Sequence, residues 1–413
     1  MLDIDLIRNN PEEVKQGISK KGANPKLVDD FLALDKEWRE FTKEADNLRE
    51  RQNELSIQRN IEEGKKVKIQ VQEIETTLRK LEASRQETLS QIPNLPSDEA
   101  PVGKDESENV VLREVGERPK FDFEPKDHVN LGKTLDILDF ESGSKVAGSG
   151  FYYLKNDGVL LELALAHYAL DFLSKNSFTP WLTPDLAREK FYLGTGYLPR
   201  GEEAQTYTIE NSDLGLIATA EVTLAGIHAD EIVDESSLPK LYAGYSHCFR
   251  QEAGAYGKYS KGLYRVHQFT KVEMFAYTMP EDSLSVHEKL LELEEKLWQD
   301  LGIPYRVVEM STGDLGMMAA RKFDLEAWMP GRDDWGEVTS ASNTTDYQAR
   351  RLGIKFRRKN GEVEFVHTLN GTALATSRAI IAILENYQTK EGRVVIPEVL
   401  RDYVGKAEIE PRK

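Results

Sequence analysis

Near the N-terminus the apolar positions recur at helical spacing. Alternating steps of four and three from Leu27 meet Phe31, Leu34, Trp38, Phe41, Ala45, Leu48, Gln52 and Leu55, a heptad seam with one polar interruption. A second seam runs through Val67, Val71, Ile74, Leu78, Leu81, Arg85, Thr88 and Ile92, weaker at its far end. Between them the stretch SIQRNIEEGKKVK carries Gly64 and breaks the phase. Two seams of similar length around a short break predict an antiparallel coiled-coil hairpin, its arms about 27–55 and 67–92, each on the order of 40 Å long. Two helices of an ordinary bundle would give the same seams, but no third helix of comparable length follows to cover the pair. Arg59, Lys65, Lys66 and Lys68 gather at the turn, where a charged helix end is ordinarily just solvated.

Residues 93–118 are rich in proline and acidic side chains and poor in apolar ones, which predicts a linker or extended strap. The expected division is an N-terminal domain of residues 1–100, a linker of 101–118 and a second domain of 119–413. In that second domain the pattern changes. Short runs with strand alternation (GFYYLK, YRVVEM, KVEMFAYTM) mix with amphipathic helical stretches (LLELALAHYALDFLSKN, SVHEKLLELEEKLWQDLG) without regular alternation. That mixture predicts an α+β domain built on an antiparallel sheet.

The 413 residues suffice for two or three domains, and their composition is that of a globular protein. No run approaches the roughly 18 to 20 apolar residues needed to cross a bilayer, and the start MLDIDLIRNNPEEV lacks an apolar signal core. The expectation is a cytoplasmic protein without membrane attachment. Cys248 is the single cysteine, so neither an intramolecular disulfide nor a cysteine-caged zinc is available. The sequons at Asn343 and Asn370 are then accidental. A net charge of −17 excludes a protein that coats nucleic acid indiscriminately, though not one with a segregated basic patch.

Against that acidic background, FRQEAGAYGKYSKGLYRVHQFTKVEM (residues 249–274) concentrates cations, glycines and aromatic rings. The segments on either side of its glycines alternate bulky and polar residues, which predicts two antiparallel strands joined by a loop bearing Lys258 and Lys261. Arg250 and Glu252 would share one strand face; Arg265, Phe269 and Glu273 would share a face on the return strand, with His267 and Lys271 between them. A solvated face of cross-strand ion pairs fits this pattern. So does a nucleotide site, in which Arg250 forks onto a phosphate, Arg265 reaches others, Phe269 stacks and Glu252 accepts from an exocyclic amine. Further on, Glu337 and Ser340 fall three apart in a polar cluster after an expected strand. A carboxylate and a hydroxyl can share a hard cation such as magnesium. Then HTLNGTALATSRAIIAILENYQ joins a strand to an apolar helix with Arg378 near its start, a place that suits phosphate. The LGKT at residues 131–134 is no phosphate loop, because Asp127 stands where the first glycine is required. The seven scattered histidines give no metal centre or serine triad.

The stretch FRQE, its glycine-bearing loop and RVHQFTKVEM resemble motif 2 of the class II aminoacyl-tRNA synthetases; FTPWLTP around Pro180 resembles motif 1 and NGTALATSRAIIAILENYQ motif 3. Together with TAE at Thr219–Glu221, SNTTDYQARR and the helical hairpin, the set is similar to the seryl-tRNA synthetases of the bacterial type over essentially the whole chain. The resemblance implies a class II catalytic domain that activates L-serine with ATP and transfers it to the 3′ end of serine tRNA. It implies Arg250 on the α-phosphate; Glu252, Val266 and Phe269 around the adenine; Arg265 and Arg378 on the outer phosphates; and Glu337 and Ser340 on magnesium, with no zinc. Thr219, Glu221, Arg250, Glu273, Asn370 and Thr372 would hold serine, with Arg250 and Arg378 as the catalytic pair. The hairpin would grip the tRNA through Arg59, Lys65, Lys66 and Lys68, and motif 1 would form a homodimer. Lys258 and Lys261 stand where relatives often carry arginine. Two rivals are a carrier-protein ligase without tRNA, which the intact hairpin argues against, and a coiled-coil interaction protein with a degenerate catalytic domain, which the retained Arg250, Glu273, Glu337 and Arg378 argue against.

Overall fold

A computed structural model describes residues 1–197, 206–252 and 261–411. The chain divides into two compact units, Met1–Pro96 and Ser97–Lys413.

The first unit holds two long helices, α1 (Lys26–Ile57) and α2 (Ile61–Gln91). At 1.5 Å per residue they run about 48 and 46 Å. The break falls at residues 58–60, earlier than the sequence pattern indicated. Arg59 takes a positive φ of 55°, Asn60 caps α2 by accepting from the Glu63 N–H, and Gly64 lies inside the helix. The expected seam is the buried or half-buried one, with Phe31, Ala45, Val67, Val71 and Ile74 at its centre. Near its base the seam turns ionic: Asp35, fully buried, accepts from Arg8 and from Arg85 at 2.9 Å, and the Arg85 guanidinium lies 4.6 Å from the Trp38 ring. Arg85, at the weaker far end of the second seam, is therefore a seam residue through its charge.

The second unit is built on an eight-stranded sheet of β1 (Val110–Val115), β2 (Thr179–Leu182), β3 (Lys240–Phe249), β4 (Gln268–Thr278), β5 (Tyr305–Glu309), β6 (Arg321–Met329), β7 (Asp334–Asn343) and β8 (His367–Ala375). Their order is β1-β5-β6-β7-β8-β4-β3-β2, every neighbouring pair antiparallel except β2 with β3. Residues 110–115, read from composition as linker or extended strap, are an edge strand; pairing with β5 is what holds this exposed segment. GFYYLK, read as a strand, contributes only the two-residue Tyr153–Leu154.

Helices α3 (His128–Thr134), α4 (Asp157–Lys175), α5 (Ser283–Asp300) and α6 (Thr376–Asn386) complete this architecture. Alternation along β4 shows how the sheet divides its work. Val272, Met274 and Ala276 join Leu161, Leu290 and Ile380 of the helices in the main core. On the other face Phe275 and Tyr277 enter a second apolar cluster with Ala220, Leu224 and Phe356, while Lys271 and Glu273 line a cleft. One strand thereby supplies both the core that fixes it and the polar groups it presents.

Candidate active site

The cleft, of about 280 Å³, is walled by Arg250, Glu252, Val266, Phe269 and Glu273 from the β3–β4 pair. Glu337 and Ser340 come from β7, Asn370 and Thr372 from β8, Arg378 from α6, and Glu221 from the helical turn Glu221–Ala225.

Arg250 and Glu252 lie beyond the last β3 residue, and Arg265 and His267 precede β4, so their grouping comes from the chain's path rather than from strand parity. Glu252 adopts φ +51°, which bends the chain as it leaves the strand and brings its carboxylate 2.7 Å from Arg265. Arg265 does not line the cleft itself. The Arg250 guanidinium lies 5.2 Å from the Phe269 ring centroid and donates through Nε to the Ala218 carbonyl at 3.4 Å, so its terminal nitrogens are the part that can meet a planar or tetrahedral anion. Lys258 is outside the described residues; Lys261 pairs with Asp127 at 2.5 Å.

Glu337 and Ser340 lie within β7, not after it. Three residues apart on an unbroken strand they would point to opposite faces. The ladder with β6 slips at this point: Glu326 faces Glu337 and Leu325 faces Thr339, so Val338 is the extra residue of a bulge that returns both side chains to one side. Arg378 reaches Glu337 twice, at 3.0 Å to a carboxylate oxygen and at 2.9 Å to the backbone carbonyl. Burial disfavours the Glu337 anion, but Arg378 and Lys322 override it and hold the carboxyl down at about 2. Asp324, opposite Ser340 on β6, is pushed the other way, up to about 7, by burial that Lys322 only partly offsets. Its Oδ1 is buried 3.4 Å from the Lys322 ammonium.

Glu273 is buried, accepts from Lys271 at 2.5 Å and from the Thr372 hydroxyl at 3.4 Å. Burial raises its pKa while Lys271 and Arg250 oppose the rise. Glu221 is buried under three donors, Gln348 at 2.7 Å, Asn370 at 3.0 Å and Tyr197 at 3.0 Å. Desolvation, and then the neighbouring Glu273 charge, push it up to about 7. Thr219 does not line the cleft; its fully buried hydroxyl accepts from the Glu221 N–H at 3.2 Å. Such an arrangement, a cationic floor beside two buried carboxyls, suits a ligand with an anionic chain at one end and an ammonium and hydroxyl at the other.

Several participants were not singled out from sequence as site residues. Gln348 was legible only as part of SNTTDYQARR, and Lys271 only as a neighbour of Glu273 in strand parity. Tyr197, Tyr264, Lys322 and Asp324 carry no local signal; distant segments converge to place them. Arg59, Lys65, Lys66 and Lys68 are all exposed at the hairpin end, interleaved with Glu62 and Glu63. Among the described residues no group of three or more His, Cys, Asp and Glu is placed to hold a metal ion.

An antiparallel sheet that offers two arginines to one polar cleft, followed by a strand-to-helix motif carrying the second of them, defines the class II aminoacyl-tRNA synthetase core. The family model of that core (G, H, P, S and T) matches residues 206–387, and the model of the seryl-tRNA synthetase N-terminal domain matches residues 1–96. The chain belongs to the seryl-tRNA synthetase family. The serine--tRNA ligase of Dictyoglomus turgidum is 52% identical over all of both chains. The crystal structure of seryl-tRNA synthetase from Pyrococcus horikoshii complexed with ATP superimposes with a TM-score of 0.93 at 44% identity, covering all of both chains. That of the cytoplasmic enzyme from Naegleria fowleri with AMP gives 0.88 at 38%, covering all of this chain and 99% of the other.

Proposed function

We propose that this chain, a serine--tRNA ligase, binds ATP and L-serine side by side in the cleft described above. Arg250 engages the α-phosphate and the serine carboxylate; Arg265 and Arg378 take the outer phosphates; Phe269, Val266 and Glu252 receive the adenine. Glu221, Asn370 and the Thr219 segment hold the ammonium, and Glu273 with Thr372 holds the hydroxyl. The observation that carries this reading is that Arg250 and Arg378, 128 positions apart in sequence, line one cleft with both buried carboxyls.

A serine carboxylate oxygen attacks the α-phosphorus, the bond to the bridging oxygen breaks, and pyrophosphate leaves with that electron pair. Because the side chains already converge, orientation and charge stabilisation by Arg250 and Arg378 do most of this work, with no protein nucleophile. In the second step a terminal ribose hydroxyl of tRNA attacks the activated carbonyl and AMP leaves. Glu337 and Ser340, a carboxylate and a hydroxyl with Asp324 alongside, are the residues that would hold magnesium, a hard cation suited to oxygen donors. Bound there, the ion would neutralise phosphate charge. The hairpin's exposed Arg59, Lys65, Lys66 and Lys68 contact tRNA, the Thr179–Leu182 strand pairs two subunits, and the reaction takes place in the cytoplasm.

Glu273 decides selectivity. A substrate lacking the hydroxyl forfeits its hydrogen bond to that buried carboxyl, which keeps Lys271 and Thr372 as partners; the lost charge-assisted bond lowers kcat/KM by roughly a hundredfold. Glu273→Ala should therefore abolish serine-dependent pyrophosphate exchange while equilibrium dialysis still shows ATP bound. Normal exchange at ordinary serine concentration by this variant would remove the assignment.

A further inference from the structure

The helix that carries Arg378 also carries, two turns on and on the same stripe, the fully buried Glu385. Its carboxylate is saturated by donors: one oxygen accepts from the His128 backbone N–H at 3.0 Å and from His128 Nδ1 at 2.8 Å, the other from the Gly331 N–H at 2.8 Å. The other ring nitrogen, Nε2, accepts from the Leu263 N–H at 3.2 Å. A backbone N–H can only donate, so His128 is the neutral tautomer with its proton on Nδ1, oriented by Glu385. Leu263 is fully buried and belongs to the turn Gly262–Tyr264. The next residue, Tyr264, lies 5.1 Å below the Arg378 guanidinium and donates to the Glu337 carbonyl at 3.4 Å. Arg265 follows, paired to Glu252.

We propose that Glu385 and His128 act as positioning residues for the ATP site. They fasten the Gly262–Tyr264 turn to the Arg378 helix, so that Tyr264, Arg265 and Arg378 keep one spacing toward the triphosphate. Neither lines the cleft. The inference rests on the ATP assignment given above. Backbone fit supports it independently: Gly262 has φ +61°, and a Cβ there would come within 2.2 Å of His128 Nε2, so turn and ring are matched at contact distance.

Two isosteric replacements separate the bonds. In His128→Gln the amide oxygen can still accept from Leu263; in His128→Asn the amide can still meet Glu385 but falls short of Leu263. Serine-dependent pyrophosphate exchange should show the KM for ATP raised about tenfold in His128→Asn, with the serine KM within about twofold, and His128→Gln closer to wild type. Gly262→Ala, which pushes turn and ring apart without altering either partner, should give the same ATP-selective change. Equal ATP KM in all three variants and wild type, or parallel rises in both KM values tracking lost thermal stability, would overturn the proposal. Absence of exchange in the wild-type protein would instead overturn the ATP reading on which it stands.

Discussion

Glu221 and Glu273 share a wall of the cleft but not the same company. Glu273 has the Lys271 ammonium at 2.5 Å, whereas Glu221 has only neutral donors, and burial lifts it from 4.5 to about 7. Its folded value lies above its unfolded one, so the stability it contributes is full below about 4.5 and is lost as pH rises through about 7. On the proposed reading, the ammonium of serine would supply the missing counter-charge and would require the ionised form. Thermal shift by serine should accordingly grow between about pH 6 and 8, and the serine KM should rise about tenfold for each unit below 7. A serine KM that stays flat across that range would contradict a role for Glu221 in ammonium binding. Glu337, held down at about 2 by Arg378, stays ionised throughout and contributes nothing to this dependence.

At the level of elements, bulges and edges matter more than regular ladders. The Val338 bulge lets a three-residue spacing serve one face, and a second register slip opposite Glu273 leaves Thr372 facing it. Strand β2 is the outermost strand beside β3, and it exposes Leu182 (79%) and Trp181 (38%), next to Leu163 and Leu160 exposed on α4. An apolar edge of this kind is a template for pairing with another chain. If it pairs two subunits, Leu182→Glu should raise the dimer dissociation constant at least about tenfold, with sedimentation velocity showing monomer at concentrations where the parent is dimeric. An unchanged sedimentation profile would place the interface elsewhere.

Over the whole molecule, the net charge of −17 coexists with cations gathered in the cleft and at the hairpin end. The two units have separate cores, which predicts separable functions. Asp35–Arg85 and Arg49–Glu75 pair across the hairpin, so residues 39 and 81 stand nearly opposite and can be joined by a short glycine-containing turn. Removing residues 40–80 in this way should reduce serine tRNA charging by at least about a hundredfold and leave serine-dependent pyrophosphate exchange within about threefold of the parent. Equal loss of both activities would refute the division of labour.

Sequence alone settled what local periodicity and composition encode: the hairpin seams, the β3–β4 pair, the long amphipathic helices and the strand-to-helix motif bearing Arg378. Each is a repeat or spacing within some tens of residues, where side-chain direction follows from backbone geometry. It also named part of the cleft lining, Arg250, Glu273, Glu337 and Arg378 among it, because those residues sit in contiguous motifs. Tertiary structure alone decided that residues 110–115 are a strand, that the hairpin turns before Gly64, that Glu337 and Ser340 share a face, and that His128 answers to Glu385. Those outcomes depend on partners up to 257 positions away and on unpaired hydrogen bonds seeking them, which no local pattern records.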